Sequence, residues 1–207
     1  MTKTKIAVLV SGGGTNLQAL IDAQRSGGLP HGEIAVVLAS APDAYALERA
    51  KNAGIPAFAV SRKALGSQET FEEKLSVYLK EYGAELVVLA GFLSILSADF
   101  TKKWPHRMIN IHPALIPSFC GKGMYGLKVH EAALAYGVKV TGATVHFVNE
   151  VPDGGEILMQ KAVEILPDDT PEVLQRRVME QAEWLLLPQA VEMVSAEIAN
   201  EKENGHD

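Results

Sequence analysis

The chain has 207 residues, of which 47% are hydrophobic, and it carries a formal net charge of -6. This length and composition allow one domain with a substantial core, and we expect residues 1–200 to form a single catalytic domain and residues 201–207 a flexible tail. The negative charge and the scattered Lys and Arg residues argue against a nucleic-acid partner, because phosphate backbones are bound by basic faces.

Cysteine usage and the hydrophobic runs bear on the compartment. Cys120 is the only cysteine, so no intrachain disulfide is possible and a reducing environment fits. The run Ile6–Val10 is far too short for the core of a signal peptide or for a membrane span. We therefore expect a cytoplasmic protein that starts near Met1, acts on small molecules without a membrane, and is a monomer or a homodimer.

The first half of the chain alternates short β-branched runs with longer segments of helical periodicity. Strands are predicted at Lys5–Val10, Ile34–Ala39, Ala57–Val60 and Leu86–Ala90, and helices at Asn16–Arg25, Asp43–Ala53 and Glu69–Tyr82. This alternation is typical of βαβ units. It predicts an α/β fold with a doubly wound, mostly parallel sheet flanked by helices and a Rossmann-like N-terminal half.

The second half begins with a predicted strand, followed by a stretch whose Pro and Gly residues exclude a regular element up to Gly126. Long loops of this kind inside a domain are usually functional. The strand before this stretch is predicted at Met108–Ile111. After it we expect a helix at Val129–Tyr136, two strands at Thr141–Val148 and Glu156–Val163, and a C-terminal helix at Thr170–Ala199 that Pro188 interrupts.

A glycine loop, Ser11–Asn16, joins the first predicted strand to the first helix. Its amide groups would point at a ligand on the helix N-terminus, and phosphate suits such a site. Leu17 replaces the third glycine of the dinucleotide fingerprint, and the Walker lysine is missing, which favours a small phosphate monoester. Alternatively, the glycines only permit the turn, and Thr15 or Asn16 caps the helix.

Asn110 and His112 lie at the carboxyl end of a predicted strand, where open α/β sheets bind ligands. Their spacing places both on one face, so the Asn110 amide and the His112 imidazolium could hold a developing oxyanion. A histidine at a strand end is more often structural. Asp153 could face His112 and raise its pKa, which would stabilise the charged form, although Pro-Asp-Gly is also a common turn.

Other catalytic chemistries find little support. The chain has no G-x-S-x-G motif, and no family signature surrounds Cys120. The six histidines are scattered without HExxH spacing. We therefore expect neither a serine or cysteine nucleophile nor a metal.

From Ile6 to about Val194 the chain resembles the phosphoribosylglycinamide formyltransferase family. The motifs that carry the resemblance are Ser11–Leu17, Leu89–Phe92, Asn110–Pro117, Thr144–Val148 and Asp153–Gly155. It implies the formyltransferase fold and a one-carbon transfer in purine biosynthesis, in which the amine of glycinamide ribonucleotide attacks the formyl carbon of the co-substrate 10-formyltetrahydrofolate. Asn110 and His112 would stabilise the oxyanion, and Asp153 would keep His112 charged and help to move the proton.

The resemblance also implies the binding residues. Gly14, Thr15 and Asn16 would bind the phosphate, and Glu183 the ribose hydroxyls, although Glu183 could equally belong to a solvated helix face. The folate would contact Leu93, Ser94, Ile95 and Leu96 together with Asn110 and Gln68, unless the first four only pack at a strand end. Gln68 and Ser94 stand where better-known members carry basic residues, and the loop Cys120–Lys128 is longer than in some members, so the tail and loop contacts do not carry over.

Two alternatives stay open. One is another formyl-folate transferase or a hydrolase of the same fold. The other, from a different class, is a non-catalytic phosphate- or nucleotide-binding module, which would explain the glycine loop but leave Asn110, His112 and Asp153 as coincidences.

Overall fold

The structure is a computed structural model, and it describes residues 2–204. Within this range the strands are β1 (Thr4–Val10), β2 (Gly32–Ala39), β3 (Ala57–Ala59), β4 (Leu86–Leu89), β5 (Met108–His112), β6 (Val140–Phe147) and β7 (Ile157–Glu164). The α-helices are α1 (Thr15–Arg25), α2 (Tyr45–Asn52), α3 (Arg62–Leu65), α4 (Gln68–Glu81), α5 (Ala98–Thr101), α6 (Leu127–Tyr136), α7 (Pro171–Val178) and α8 (Trp184–Asn204). None of these helices is long and apolar enough to cross a membrane.

In the described residues, all strands belong to one sheet with the order β3-β2-β1-β4-β5-β6-β7. The pairs from β3 to β5 are parallel, whereas β6 is antiparallel to β5 and β7 is antiparallel to β6. The sequence-based prediction of a doubly wound, mostly parallel sheet is therefore confirmed.

Helices cover both faces of the sheet, which explains why the central strands are apolar on both sides. One face packs against α1, α2, α7 and α8 through residues such as Leu20, Ala46 and Leu187. The other face packs against α4 and α5 through Phe71, Leu75 and Phe100. The resulting core fixes the carboxyl ends of the strands relative to one another.

The C-terminal segment differs from the prediction at two places. Pro188 lies inside α8 and does not interrupt it; instead, a π-helical segment at Met179–Glu183 separates α7 from α8. Pro188 lacks the N–H that would bond to the Trp184 carbonyl, and it stands in the first turns of α8, where few intrahelical bonds are lost. Residues 201–204 of the predicted tail are helical, and residues 205–207 lie outside the described range.

The order of the strands reverses between β1 and β4, which is where open α/β sheets bind ligands. The loops that follow these strands are tied together, because the Ser11 amide donates to the Gly91 carbonyl at 3.1 Å and the Leu93 amide donates to Ser11 Oγ at 2.8 Å. The turn between β6 and β7 approaches from the antiparallel side. Its Gly155 must be glycine, since a Cβ there would overlap the carbonyl oxygen of Phe147.

Candidate active site

Asn110, His112 and Asp153 meet at the carboxyl end of β5. Asn110 Nδ2 donates to Asp153 Oδ1 at 3.4 Å, and His112 Nδ1 lies 3.6 Å from Asp153 Oδ2. The structure thus brings together the three residues that the sequence selected, from two separate segments of the chain. Both distances are long for hydrogen bonds, as is common in catalytic sites without ligand.

The Asp153 carboxylate is held by the loop that follows β5. The Gly121 amide donates to Asp153 Oδ2 at 2.8 Å, and Asp153 itself adopts a left-handed backbone conformation with φ 56°, which is uncommon for a non-glycine residue. Burial raises the pKa of Asp153, but hydrogen bonds and charges from His146, His112 and Gly121 outweigh it, so the pKa is below its usual value. Asp153 is therefore ionised at neutral pH.

His112 is 4% exposed, and its Nε2 lies 2.8 Å from the carbonyl oxygen of Phe119. Because a carbonyl only accepts, Nε2 carries a proton and Nδ1 faces Asp153. Burial lowers the pKa of His112 more than the charge of Asp153 and the Phe119 contact raise it. The prediction that Asp153 keeps His112 charged is thus wrong for the free protein, because desolvation is the larger effect.

His146 is a site residue that the sequence reasoning missed. It is buried, its Nδ1 donates to the carbonyl of Phe147 at 2.8 Å, and its Nε2 lies 3.1 Å from Asn110 Nδ2 and 3.6 Å from Asp153 Oδ1. His146 and Asn110 are direct cross-strand partners of β5 and β6. The Thr144–Val148 motif was visible in the sequence, but only this register shows that its histidine faces the centre.

The glycine loop leads into α1, whose N-cap is Gly14 with φ 70° and no side-chain cap. The first turn of α1 therefore leaves amide groups free for an anion. A Cβ at Gly12 or Gly13 would meet nothing within 4 Å, whereas a Cβ at Gly14 would lie 2.7 Å from Ala46 Cβ. Gly14 is thus required for packing against α2, and the open surface of the loop lies at Gly12 and Gly13.

Asn16 and Glu183 connect α1 to the π-helical segment. Asn16 Nδ2 donates to Glu183 Oε2 at 2.6 Å, and both residues are more than 90% buried. Burial raises the pKa of Glu183, partly offset by this bond. Glu183 therefore does not belong to a solvated helix face, and the side chain of Asn16 contacts Glu183, which leaves its backbone for an anion.

The segment predicted to bind folate lines a cavity of about 390 Å³ that Asn110 also lines. Leu93 and Ile95 are exposed at 59% and 60%, so they are not buried strand-end packing. Gln68 is not among the lining residues; its Nε2 donates to the Ile95 carbonyl at 3.0 Å, and its Oε1 accepts from Arg62. The cavity is lined by Leu93, Ser94, Ile95, Leu96, Asn110, Asp153 and residues of the 121–125 and 148–152 loops.

A second cavity of about 430 Å³ contains the glycine loop, Glu183 and His112. Six residues line both cavities: Phe92, Leu93, Asn110, Met124, Tyr125 and Asp153. One cavity therefore contains the glycine loop and His112, the other contains the exposed side chains of Leu93 and Ile95, and Asn110 and Asp153 line both. Between residues 2 and 204 no cluster of three or more His, Cys, Asp or Glu side chains is placed to hold a metal ion.

Comparisons with known proteins fit this arrangement. A family model described as formyl transferase matches residues 4–191. Phosphoribosylglycinamide formyltransferase of Haemophilus influenzae is 42% identical over 184 residues, which are 89% of this chain and 84% of that protein. The trifunctional purine biosynthetic protein adenosine-3 of Drosophila melanogaster is 42% identical over 93% of this chain, but the chain spans only 14% of that protein.

Solved structures are similar over nearly the whole chain. The glycinamide ribonucleotide transformylase 1 of Symbiobacterium toebii has a TM-score of 0.87 and 40% identity, and the match covers 94% of this chain and 89% of that one. The phosphoribosylglycinamide formyltransferase of Coxiella burnetii has a TM-score of 0.86, 39% identity and coverages of 94% and 88%. The chain therefore belongs to the formyl transferase family, in the branch of the phosphoribosylglycinamide formyltransferases.

Proposed function

We propose that residues 1–200 form a catalytic domain that transfers the formyl group of 10-formyltetrahydrofolate to the amine of glycinamide ribonucleotide, a step of purine biosynthesis. The observation that carries the proposal is the junction of the two cavities at Asn110 and Asp153. A transfer between two bound molecules needs both of them at one polar centre. A phosphate-binding module would need only the cavity of the glycine loop.

The ribonucleotide occupies the cavity of the glycine loop. Its phosphate accepts hydrogen bonds from the free amides at the start of α1, where the helix dipole also favours an anion. Glu183 accepts hydrogen bonds from the ribose hydroxyls with the carboxylate oxygen that Asn16 does not use. These contacts leave the glycinamide end for His112, which lines the same cavity.

The folate occupies the cavity lined by Leu93, Ser94, Ile95 and Leu96. The side chains of Leu93, Ile95 and Leu96 contact the flat pterin ring, and the backbone groups of this irregular segment bind its polar edge. The formyl group then lies beside Asn110, on the wall that the two cavities share. Gln68 holds the backbone of this segment through the Ile95 carbonyl and so supports the pocket from outside.

Asn110 donates to the oxyanion that forms when the substrate amine attacks the formyl carbon, and His112 adds its positive charge once it has accepted the proton of that amine. In the free protein the Asn110 amide hydrogens are directed to His146 and Asp153. The 3.4 Å contact to Asp153 is the weaker of the two, so the formyl oxygen takes this hydrogen. The bond to His146 keeps the amide group oriented.

The proton of the attacking amine passes through the His112 and Asp153 pair. His112 is neutral in the free protein because burial lowers its pKa, so it can accept this proton at Nδ1, the nitrogen that faces Asp153. The carboxylate stabilises the resulting imidazolium. The proton is then delivered, through water, to the folate nitrogen that leaves, so the products are formyl-glycinamide ribonucleotide and tetrahydrofolate.

An absorbance assay of purified protein with 10-formyltetrahydrofolate tests the proposal. We expect release of tetrahydrofolate only when glycinamide ribonucleotide is also present, with one formylated ribonucleotide formed per folate consumed. Release of formate without the ribonucleotide would indicate a hydrolase. No turnover under either condition, combined with binding of the ribonucleotide alone, would indicate a non-catalytic module. The cytoplasmic location, the lack of a metal requirement and the absence of nucleic-acid and membrane partners stay predictions.

A further inference from the structure

His130 is a buried histidine that the proposed mechanism does not use. It lies in the second turn of α6, is 0% exposed and belongs to the residues that line the cavity of the glycine loop. Neither of its ring nitrogens has a hydrogen-bond partner among the described residues. Buried side-chain nitrogens are rarely left in this state, because an unpaired buried polar group lowers the stability of the fold.

The protonation state of His130 limits what it can do. Burial and, to a smaller extent, the charge of His112 lower its pKa to about 4. The ring is therefore neutral at pH 7 and too weak a base to collect the proton of the substrate amine. A neutral imidazole offers one hydrogen-bond donor and one acceptor. It therefore suits an uncharged ligand group that also has one acceptor and one donor.

The position of His130 in the cavity indicates which part of the ribonucleotide it contacts. The phosphate is assigned to the start of α1 and the ribose to Glu183, whereas His130 lines the same cavity as His112 and is near enough for the charge of His112 to affect it. The uncharged polar group next to the reacting amine is the secondary amide of glycinamide. Its N–H and C=O match the acceptor and the donor of the ring.

We propose that His130 binds the amide of the glycinamide moiety and thereby selects a glycinamide-bearing sugar phosphate over other phosphorylated sugars. This inference rests on the proposed function. The unpaired imidazole lowers the stability of the free protein. Binding of the ribonucleotide pairs its ring nitrogens and so recovers this loss, which explains the presence of such a group in the core. His130 is on this account a binding residue, and it takes no part in the proton transfer.

Calorimetric titration of His130→Leu with glycinamide ribonucleotide tests the inference. We expect the dissociation constant to rise about 10- to 100-fold, which corresponds to the loss of one or two hydrogen bonds. The affinity for ribose 5-phosphate, which has the phosphate and ribose but no amide, should change less than about 3-fold. His130→Gln keeps a donor and an acceptor and should restore most of the affinity for the ribonucleotide.

Thermal unfolding of the free proteins provides the second measurement. Because His130→Leu removes unpaired polar atoms from the core, its Tm should rise by about 2–4 °C. Thr141→Val is the matched control: Thr141 Oγ1 is also buried without a partner, but Thr141 does not line the cavity. This variant should also unfold at a higher temperature, with unchanged affinity for the ribonucleotide.

Three results would overturn the inference. The first is an unchanged affinity of His130→Leu for the ribonucleotide, the second is an equal loss for ribose 5-phosphate, and the third is a lower Tm of the free variant, which would make His130 a structural residue. A wild-type protein that binds no glycinamide ribonucleotide would instead contradict the proposed function itself. The titration of the wild type therefore separates the two failures.

Discussion

Replacing Asp153 with Asn should lower kcat about 50- to 2000-fold while changing the affinity for either substrate less than about 5-fold. The substitution keeps the size of the side chain but removes the charge that faces His112 Nδ1 at 3.6 Å. At this distance two unit charges interact by roughly 2–5 kcal/mol if the effective dielectric constant is about 20 to 40. His112 bears its charge only during the reaction, so the loss falls on the transition state.

The pH dependence of the same variant tests the direction of proton transfer. His112 must be neutral to accept a proton, so kcat/KM of the wild type should fall as the pH drops through the pKa of His112, which burial holds below its ordinary value. Asp153 raises that pKa. Without its charge the pKa falls further, and the acid limb of the profile should move to lower pH.

Steady-state kinetics from pH 5 to 9, with dissociation constants measured separately, would check both statements. Asp168→Asn is a suitable control, because this exposed residue before α7 lies outside both cavities and its replacement changes the net charge equally. Turnover of Asp153→Asn within a few fold of the control, or a defect confined to KM, would refute the role of the carboxylate. An acid limb that moves to higher pH would refute the role of neutral His112.

Three further predictions concern separate parts of the site. Asn110→Ala should lower kcat about 100-fold or more, the usual cost of a lost oxyanion donor; near-normal turnover would contradict that role. Gly13→Ala should weaken ribonucleotide binding and spare the folate, because its methyl group enters the open side of the loop; titration with each ligand separately decides. Glu183→Gln should stabilise the free protein increasingly above pH 4.5: burial raises the pKa of Glu183, so the wild type loses stability as the pH rises through that pKa. The check is the Tm of both proteins at several pH values; a difference in Tm that does not change with pH would argue against a buried titrating carboxyl group.

The fold could be predicted because its main signals are local. Continuous apolar runs such as Leu86–Leu89 and intervening helical segments already imply parallel strands with helices on both faces. The C-terminal interruption was misplaced because proline is a strong local helix-breaking signal, whereas the π-helical segment at Met179–Glu183 carries no such signal in the sequence. The contact between Glu183 and Asn16 joins residues 167 positions apart, and such a contact leaves no periodic signal in one sequence.

The centre of the candidate site was predictable for a related reason. Asn110 and His112 share one strand, so a period of two is sufficient to place them on one face. His146 was missed because its position depends on the antiparallel register between β5 and β6, which no local pattern specifies. The direction of the pKa shift of His112 was misjudged because the effect of burial is larger than that of Asp153. The degree of burial depends on all the elements around His112, whereas the proximity of Asp153 depends on one turn.

The side chains that line both cavities have a consequence for the two binding equilibria. Because Asn110 and Asp153 line both cavities, a ligand in one cavity contacts side chains that a ligand in the other cavity also contacts. Thermodynamic reciprocity then requires that any factor by which the nucleotide alters folate affinity be returned unchanged by the folate. A substitution of a residue that lines both cavities would change this coupling between nucleotide and folate affinity, even where each molecule alone still binds normally.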